Sequence, residues 1–435
     1  MVKRFSVPRG TCDILPENVM VWQDIETKAR QILHTYGYKE IRTPIFEETE
    51  LFARSMGQTS DVVQKQMLSL QSQKKSDEQD LDAGGLSLRP EGTASIVRSY
   101  IENSFDKKEN LSKLFYLGPM FRGERPQKGR LRQFHQIGAE AIGPGSASPY
   151  LDAEIISLCV NILKSFGLNN FKLKINTLGS AQDKESFSKK LRDAIKPQVT
   201  ALCEDCRQRF ERNVFRILDC KNESCKNIIR KVNISDDYLS AESKEYYVLV
   251  KEALKNLNIE FIESPHLVRG LDYYTHTVFE ISDSSLGSQD ALGAGGRYNN
   301  LVTQLDGPEV DAIGFALGIE RILLAKSKDP MPAPRKLDAF IVALDEKSLK
   351  EAFQILNFIR LAGVSSDMSF KLSSMKSQMR LADKLGAQSV IILGENELSR
   401  ECVTLKNMQT GNQEEVSINN KDYNQLSKLL LERHS

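Results

Sequence analysis

Nowhere do the 435 residues string together the ~18 consecutive apolar positions of a membrane span, which argues against a membrane-spanning helix. The opening Met-Val-Lys-Arg-Phe-Ser-Val-Pro lacks the apolar stretch of a secretory signal, so a cytoplasmic location is expected. Charge of one sign is equally scarce. Lys and Arg number 59 against 58 Asp and Glu, net +1, so any nucleic acid must be held by local basic patches. The chain has no G-x(4)-G-K-[ST] phosphate loop. Gly293-Ala-Gly-Gly-Arg-Tyr298 ends on tyrosine where a dinucleotide fingerprint needs its last glycine. Five histidines, none in H-E-x-x-H or H-x-x-E-H spacing, argue against a hydrolytic metal centre. Seven cysteines require no disulfide framework. Four of them, Cys203, Cys206, Cys220 and Cys225, form C-x2-C, thirteen residues, then C-x4-C. That spacing suits either a structural Zn2+ site or a set of small buried thiols, and it carries no catalysis in either case.

What is present is ample for two or three folding units, with 40% apolar and 27% charged residues. Val21, Trp22, Ile25, Ala29, Ile32 and Leu33 recur at helical spacing between Glu17 and Tyr36, and Gly37 ends that run. Lys39 to Pro44 reads as extended. Residues 71–85 are polar without period and read as a surface loop. Strand patterns follow at Leu86–Arg89, Leu114–Phe121 and Phe134–Ile142, then an amphipathic helix at Asp152–Phe166. About 181–260 is helical, charged and cysteine-bearing, an apparent insertion. Strand patterns resume at His266–Arg269 and Thr277–Ile281, and a helix is expected over Ala316–Ala325. Three prolines mark residues 326–336 as a linker. Beyond it, strands at Ala339–Leu344, Val364–Met368 and Val390–Leu393 alternate with helices at Leu349–Leu361 and Ser374–Leu385, a small α/β unit.

One stretch concentrates cations. Phe121-Arg122-Gly-Glu-Arg-Pro-Gln-Lys-Gly-Arg130-Leu-Arg-Gln-Phe134 joins two strand patterns through a loop with five of them. Arg122 adjoins an apolar run, where an unpaired guanidinium is costly and a facing phosphate would suit its planar fork. In the returning strand Phe134, Gln136, Gly138 and Glu140 share one face. Ring, amide and carboxylate in line can make a polar pocket, or simply the wet face of an edge strand.

With these residues in view, the segment resembles motif 2 of class II aminoacyl-tRNA synthetases. Ala312-Ile-Gly-Phe-Ala-Leu-Gly-Ile-Glu-Arg321 resembles motif 3, and Gly37–Pro44 is placed like motif 1. Leu267-Val-Arg269-Gly-Leu-Asp-Tyr-Tyr274 and Gly293–Tyr298 resemble the two motifs particular to histidyl-tRNA synthetases, and Arg89-Pro-Glu91-Gly92-Thr93 the family's amino-acid loop. The resemblance spans nearly the whole chain in the family's order. It implies an α+β fold: an antiparallel-sheet catalytic domain over 1–325 with the helical insertion at about 181–260, a linker at 326–336 and an α/β anticodon-binding domain at 337–435.

The same resemblance implies activation of L-histidine by ATP, with Mg2+, to histidyl-adenylate and pyrophosphate, then transfer to the 3′ end of tRNA(His) by a homodimer. It places Arg122 and Arg269 at the α-phosphate as catalytic cations, with Arg321 at the γ-phosphate. Glu124 and Arg130 would surround the nucleotide, and Phe134 would stack on adenine. Glu91, Gly92, Thr93 and Gln136 would bind the α-amino end of histidine; Glu140 and Tyr274, with Tyr273 adjacent, would bind the imidazole. The rival reading is a non-catalytic relative serving as a regulatory subunit in histidine biosynthesis. Such relatives generally lack the C-terminal module and have eroded motifs, whereas Arg122, Glu124, Arg269 and Arg321 are all here. In the C-terminal unit, Lys371, Lys376, Arg380 and Lys384 recur near helical spacing and could follow phosphate or simply face solvent.

Overall fold

A computed structural model describes residues 5–58, 60–71, 85–232, 234–327 and 336–434. Most of the polar loop at 71–85 and of the proline-rich linker lies outside the described residues. The chain divides into two units, Met1–Met331 and Pro332–Ser435. No described helix is long and apolar enough to cross a membrane.

The first unit is organised by an eight-stranded sheet. Its strands are β1 (Lys39–Glu40), β2 (Ser112–Phe121), β3 (Gln133–Ile142), β4 (Lys172–Thr177), β5 (Ile262–Glu263), β6 (Thr275–Ser282), β7 (Ala291–Arg297) and β8 (Ala312–Gly318). They lie in the order β1-β2-β3-β8-β7-β6-β4-β5. All central pairings are antiparallel; only the short edge strands β1 and β5 pair parallel. Strand alternation explains why this sheet makes both a core and a site. On β3, Ile137, Ala139 and Ala141 enter the main core, as do Ile313, Phe315 and Leu317 on β8. Helix α1 (Pro16–Thr35) covers that face with Trp22, Ile25, Ala29 and Leu33, beside α2 (Pro149–Ser165). The opposite face of β8 offers Gly314, Ala316 and Gly318, too small to fill the space above them, so a cavity remains there.

Two expectations need correction. His266–Arg269 is not a strand but irregular chain: one side chain, Asn176, donates through Nδ2 to the Leu267 carbonyl (3.0 Å) and to that of Pro265 just before the segment (3.2 Å). The helix expected from Ala316 starts at Ile319, since residues 312–318 are consumed by pairing with β3 and β7.

Within the helical region, residues from Phe187 to Tyr238 enclose a separate apolar cluster. Helix α3 (Ala241–Asn256), by contrast, sends Val250, Ala253 and Leu254 into the main core. The second unit is a five-stranded sheet. Three parallel strands, Ser366–Met368, Ala339–Ala343 and Ser389–Leu393, continue into an antiparallel pair, Cys402–Asn407 and Gln413–Ser417. Buried apolar residues on both of its faces match the unbroken apolar runs of its inner strands.

One buried ion pair locks the eight-stranded sheet to its helices. Arg297, 1% exposed, ends β7 and pairs with Asp152 of α2 (0% exposed) at 2.7 Å. Its guanidinium also donates to the carbonyls of Ser146 and Ser148 and lies over the Tyr246 ring of α3. Asp152→Ala would leave that cation buried and uncompensated, for a predicted loss of ~3–5 kcal/mol. Trp22, the single tryptophan, sits in the same core. Urea unfolding followed by its fluorescence should show the loss, and an unchanged midpoint would refute it.

Candidate active site

A cavity of about 190 Å3 opens on the β3–β8 face. Its walls gather Arg122, Glu124, Arg130 and Phe134 from the β2–β3 hairpin, Gln136 and Glu140 from β3, and Glu91 and Thr93 from the loop opening helix Thr93–Glu102. Arg269, Tyr273 and Tyr274 come from the irregular segment, and Arg321 from helix Ile319–Ala325. Of the residues that the resemblance assigns to histidine and ATP, all but Gly92 line this one space, and Gly92 lies against Tyr116, which also lines it.

At its inner end Glu140 is 1% exposed. Thr93 Oγ1 donates to its Oε1 at 2.7 Å and Tyr298 OH to its Oε2. Burial pushes the carboxyl up to about 8; the Tyr298 and Thr93 hydrogen bonds offset only part of this, and nearby Glu91 adds to it. Close approaches fix the shape. Glu140 faces Gly314 directly across the β3–β8 ladder, where a Cβ would stand 1.7 Å from the carboxylate. The Tyr116 ring is sandwiched between Gly92 and Gly138, whose added Cβ atoms would lie 2.3 and 2.2 Å from it. Glu91 accepts from the backbone N–H groups of Thr93 (2.7 Å) and Ala94 (2.9 Å), anchoring its carboxylate at a helix start. Gln136 Oε1 is buried with no partner in the protein, an acceptor directed at whatever fills the cavity.

The outer end is cationic. Arg122 donates to the Pro90 carbonyl at 2.9 Å and lies over the Phe134 ring, 5.1 Å from its centroid. Arg321 donates to the carbonyls of Gly129 (3.1 Å) and Ala291 (2.7 Å). Arg130 pairs with Glu124. Burial draws the pKa of both Arg122 and Arg321 down, and repulsion from Arg130 draws them further. Three crowded guanidiniums held by carbonyls and one carboxylate form a site that favours a polyanion. Arg269 pairs with Glu280 of β6 at 2.6 Å, while its Nε is buried without a partner.

Sequence reading missed Tyr116, Tyr298 and Glu280. Tyr298 closes the Gly293–Tyr298 motif, so its position was marked without its contact. Nothing in the order of residues announces that Glu280 meets Arg269, since that contact depends on the path of the loop between them. The four cysteines do converge, with their sulfurs within 4.8 Å of one another.

Comparison with known proteins follows the same lines. The family model "Histidyl-tRNA synthetase" matches residues 10–322 and the model "Anticodon binding domain" matches 338–421. A histidine–tRNA ligase of Bacillus cytotoxicus is 44% identical over 418 residues, covering 95% of this chain and 96% of its own. One of Halothermothrix orenii is also 44% identical, over 419 residues, 95% of this chain and 97% of its own. The crystal structure of the apo histidyl-tRNA synthetase of S. aureus superposes with a TM-score of 0.79 at 38% identity, covering 98% of this chain and all of that one. A polyanion site and a buried polar pocket in one cavity, on this sheet and in these relatives' company, place the chain in the histidyl-tRNA synthetase family.

Proposed function

We propose that the cavity activates histidine with ATP and passes the histidyl group to tRNA(His), its inner end choosing the amino acid and its arginines carrying the chemistry. The carrying observation is the continuity of a buried, hydrogen-bonding pocket with four arginines, Arg122, Arg130, Arg269 and Arg321. The histidine carboxylate attacks the α-phosphorus of ATP, forming the mixed anhydride and expelling pyrophosphate. An ionised carboxylate needs no general base, so the protein contributes alignment and neutralisation of the charge that builds on phosphate. Arg122, fixed by the Pro90 carbonyl, and Arg269 would meet the α-phosphate, and Arg321 the γ-phosphate. Phe134 would stack on adenine, with Glu124 and Arg130 around the nucleotide. Mg2+, a hard oxygen-seeking cation, would enter with the phosphates of ATP, and Glu124 is a cavity carboxylate able to face it.

Glu91, Thr93 and the unpartnered Oε1 of Gln136 supply acceptors for the α-amino group, with Gly92 setting the turn between the first two. Glu140 and Tyr274, beside Tyr273, would take the two imidazole nitrogens. A site built to hydrogen-bond a polar ring rejects apolar amino acids, since its own groups would be left unpaired.

For tRNA, Lys371, Lys376, Arg380 and Lys384 of the second unit are all exposed, available to phosphate. Dimerisation is supported by the motif 1 resemblance and by Ile45 and Phe46, exposed just beyond edge strand β1. The four thiols suit a structural Zn2+. A cytoplasmic location accords with this work in protein synthesis. The regulatory-subunit reading is disfavoured by the intact arginine set and by the second unit, which matches the anticodon-binding model.

Histidine-dependent ATP–pyrophosphate exchange is expected from the native protein and its absence would overturn the function. Arg269→Ala should slow exchange by ~10²–10³-fold with histidine affinity little altered; an unchanged rate would remove Arg269 from the chemistry.

A second prediction concerns pH. Below about 8 the free pocket keeps Glu140 protonated, while free histidine has a neutral imidazole above ~6.5. One proton shared between the two groups therefore makes binding tightest between those values. Above about 8 the pocket must first recover a proton, so the KM for histidine should rise, approaching tenfold per pH unit in the limit. Glu140→Gln keeps a donor and an acceptor but cannot titrate, and should flatten that upper limb. A KM in the native protein that stays constant from pH 7 to beyond ~9 would rule out the shared proton.

A further inference from the structure

The segment between Cys206 and Cys220 has thiols at its ends and polar anchors in its middle. At the ends, Cys203 and Cys220 bring their sulfurs to 3.9 Å, and all four sulfurs lie within 4.8 Å. Four thiolates ~2.3 Å from a tetrahedral zinc have their sulfurs ~3.8 Å apart, so this cluster closes on a metal with small adjustments. A disulfide would need ~2.05 Å, far from any such contact. The Cys203 N–H donates to Cys225 Sγ (3.2 Å) and the Asn222 N–H to Cys220 Sγ (3.4 Å), the outer hydrogen bonds that thiolate ligands favour.

In the middle, Arg209 and Arg216 both donate to Asp61 Oδ2 at 2.9 Å. Asn213 Nδ2 donates to Asp272 Oδ1 at 2.7 Å. Arg216 also lies against Gly270, where an added Cβ would come within 2.9 Å of its Nη1. Gly270 and Asp272 flank Leu271, one residue from Arg269 on one side and from Tyr273 on the other. The cysteine-tied segment therefore grips the loop that carries both the proposed α-phosphate cation and the proposed imidazole partner.

We infer that Cys203, Cys206, Cys220 and Cys225 bind one zinc ion whose role is to hold residues 206–220 in the register that positions the Arg269–Tyr274 loop over bound histidine. Loading releases up to four thiol protons and leaves a zinc–tetrathiolate unit of net charge −2, within electrostatic reach of Arg209. The metal touches no substrate; it acts through Asn213 and Arg216 as a positioning device. The inference rests on the histidine site proposed above.

The test uses the full-length protein expressed in zinc-supplemented medium. Zinc is measured by elemental analysis, the cobalt-substituted form by its thiolate charge-transfer spectrum, and histidine Kd by calorimetry. The native protein should hold ~1 zinc per chain and show the tetrahedral cobalt spectrum. Cys225→Ser should lose zinc and weaken histidine binding about tenfold, in the range of couplings between separate sites. Asn213→Ala should keep its zinc and still weaken histidine binding, which a purely structural metal would not produce.

Sub-stoichiometric zinc without the cobalt spectrum overturns the metal. Zinc-free, folded Cys225→Ser with native histidine Kd overturns the coupling. If Cys225→Ser fails to fold, native affinity in Asn213→Ala overturns it instead. A native protein that takes up zinc but binds no histidine would strike at the underlying site reading and leave the metal standing.

Discussion

A carboxyl group sealed inside the protein governs much of this architecture. Glu140 has almost no contact with solvent, and ionising it there is costly enough to move its pKa to about 8. Its position is met from three directions: Thr93 at a helix start, Tyr298 beyond β7, and the bare backbone of Gly314 opposite it on β8. Each belongs to a different segment of the chain, so the sheet order that brings β3, β8 and β7 side by side is a condition for the pocket. Clearance for Tyr116 between Gly92 and Gly138 ties the Glu91–Thr93 loop to the same strand. The pocket is thus a consequence of small residues on one strand face matched to apolar ones on the other.

The cationic end obeys a different constraint. Guanidiniums cannot be buried cheaply: Arg130 is paired with the Glu124 carboxylate, while Arg122 is braced by one carbonyl and Arg321 by two, acceptors that do not cancel their charge. Such bracing fixes direction while leaving the field intact. A polyphosphate entering this end would replace the repulsion among Arg122, Arg130 and Arg321 with attraction, which is how stationary dipoles and charges favour a transition state without reorganising.

Much of this was readable from residue order because the site is built on regular strands. Period-two alternation put Phe134, Gln136 and Glu140 on one face, and the structure lines the cavity with all three. The apolar runs Ala339–Leu344 and Val390–Leu393 read as strands, and residues 339–343 and 389–393 are strands, inner ones with apolar clusters on both faces. Illegible parts were those set by long-range contact. The 266–269 segment has strand-like composition but lies in irregular chain, where Asn176, 91 residues earlier, takes the Leu267 carbonyl. Strands Cys402–Asn407 and Gln413–Ser417 are polar on one side and gave little signal. The pairing of Arg269 with Glu280 depends on a loop path that no local pattern encodes.

That loop path bears on how recognition and chemistry are joined. Leu267–Tyr274 has no ladder of its own and is held by side chains reaching in: Asn176 at the Leu267 carbonyl, Lys184 at the carbonyls of Asp272 (2.6 Å) and Tyr274 (2.9 Å), and Asn213 at the Asp272 carboxylate. Arg269 itself has one ion-pair partner, Glu280, and an uncommitted Nε. The uncommitted Nε leaves that cation a donor to offer a phosphate, whereas the tyrosines at the far end of the loop are buried and packed ring to ring. On the proposed reading, an imidazole engaging Tyr274 would stabilise the loop that bears Arg269 in the same act. A correct amino acid would therefore help to place the cation that its own activation requires, so selectivity would extend from binding into the rate of adenylate formation.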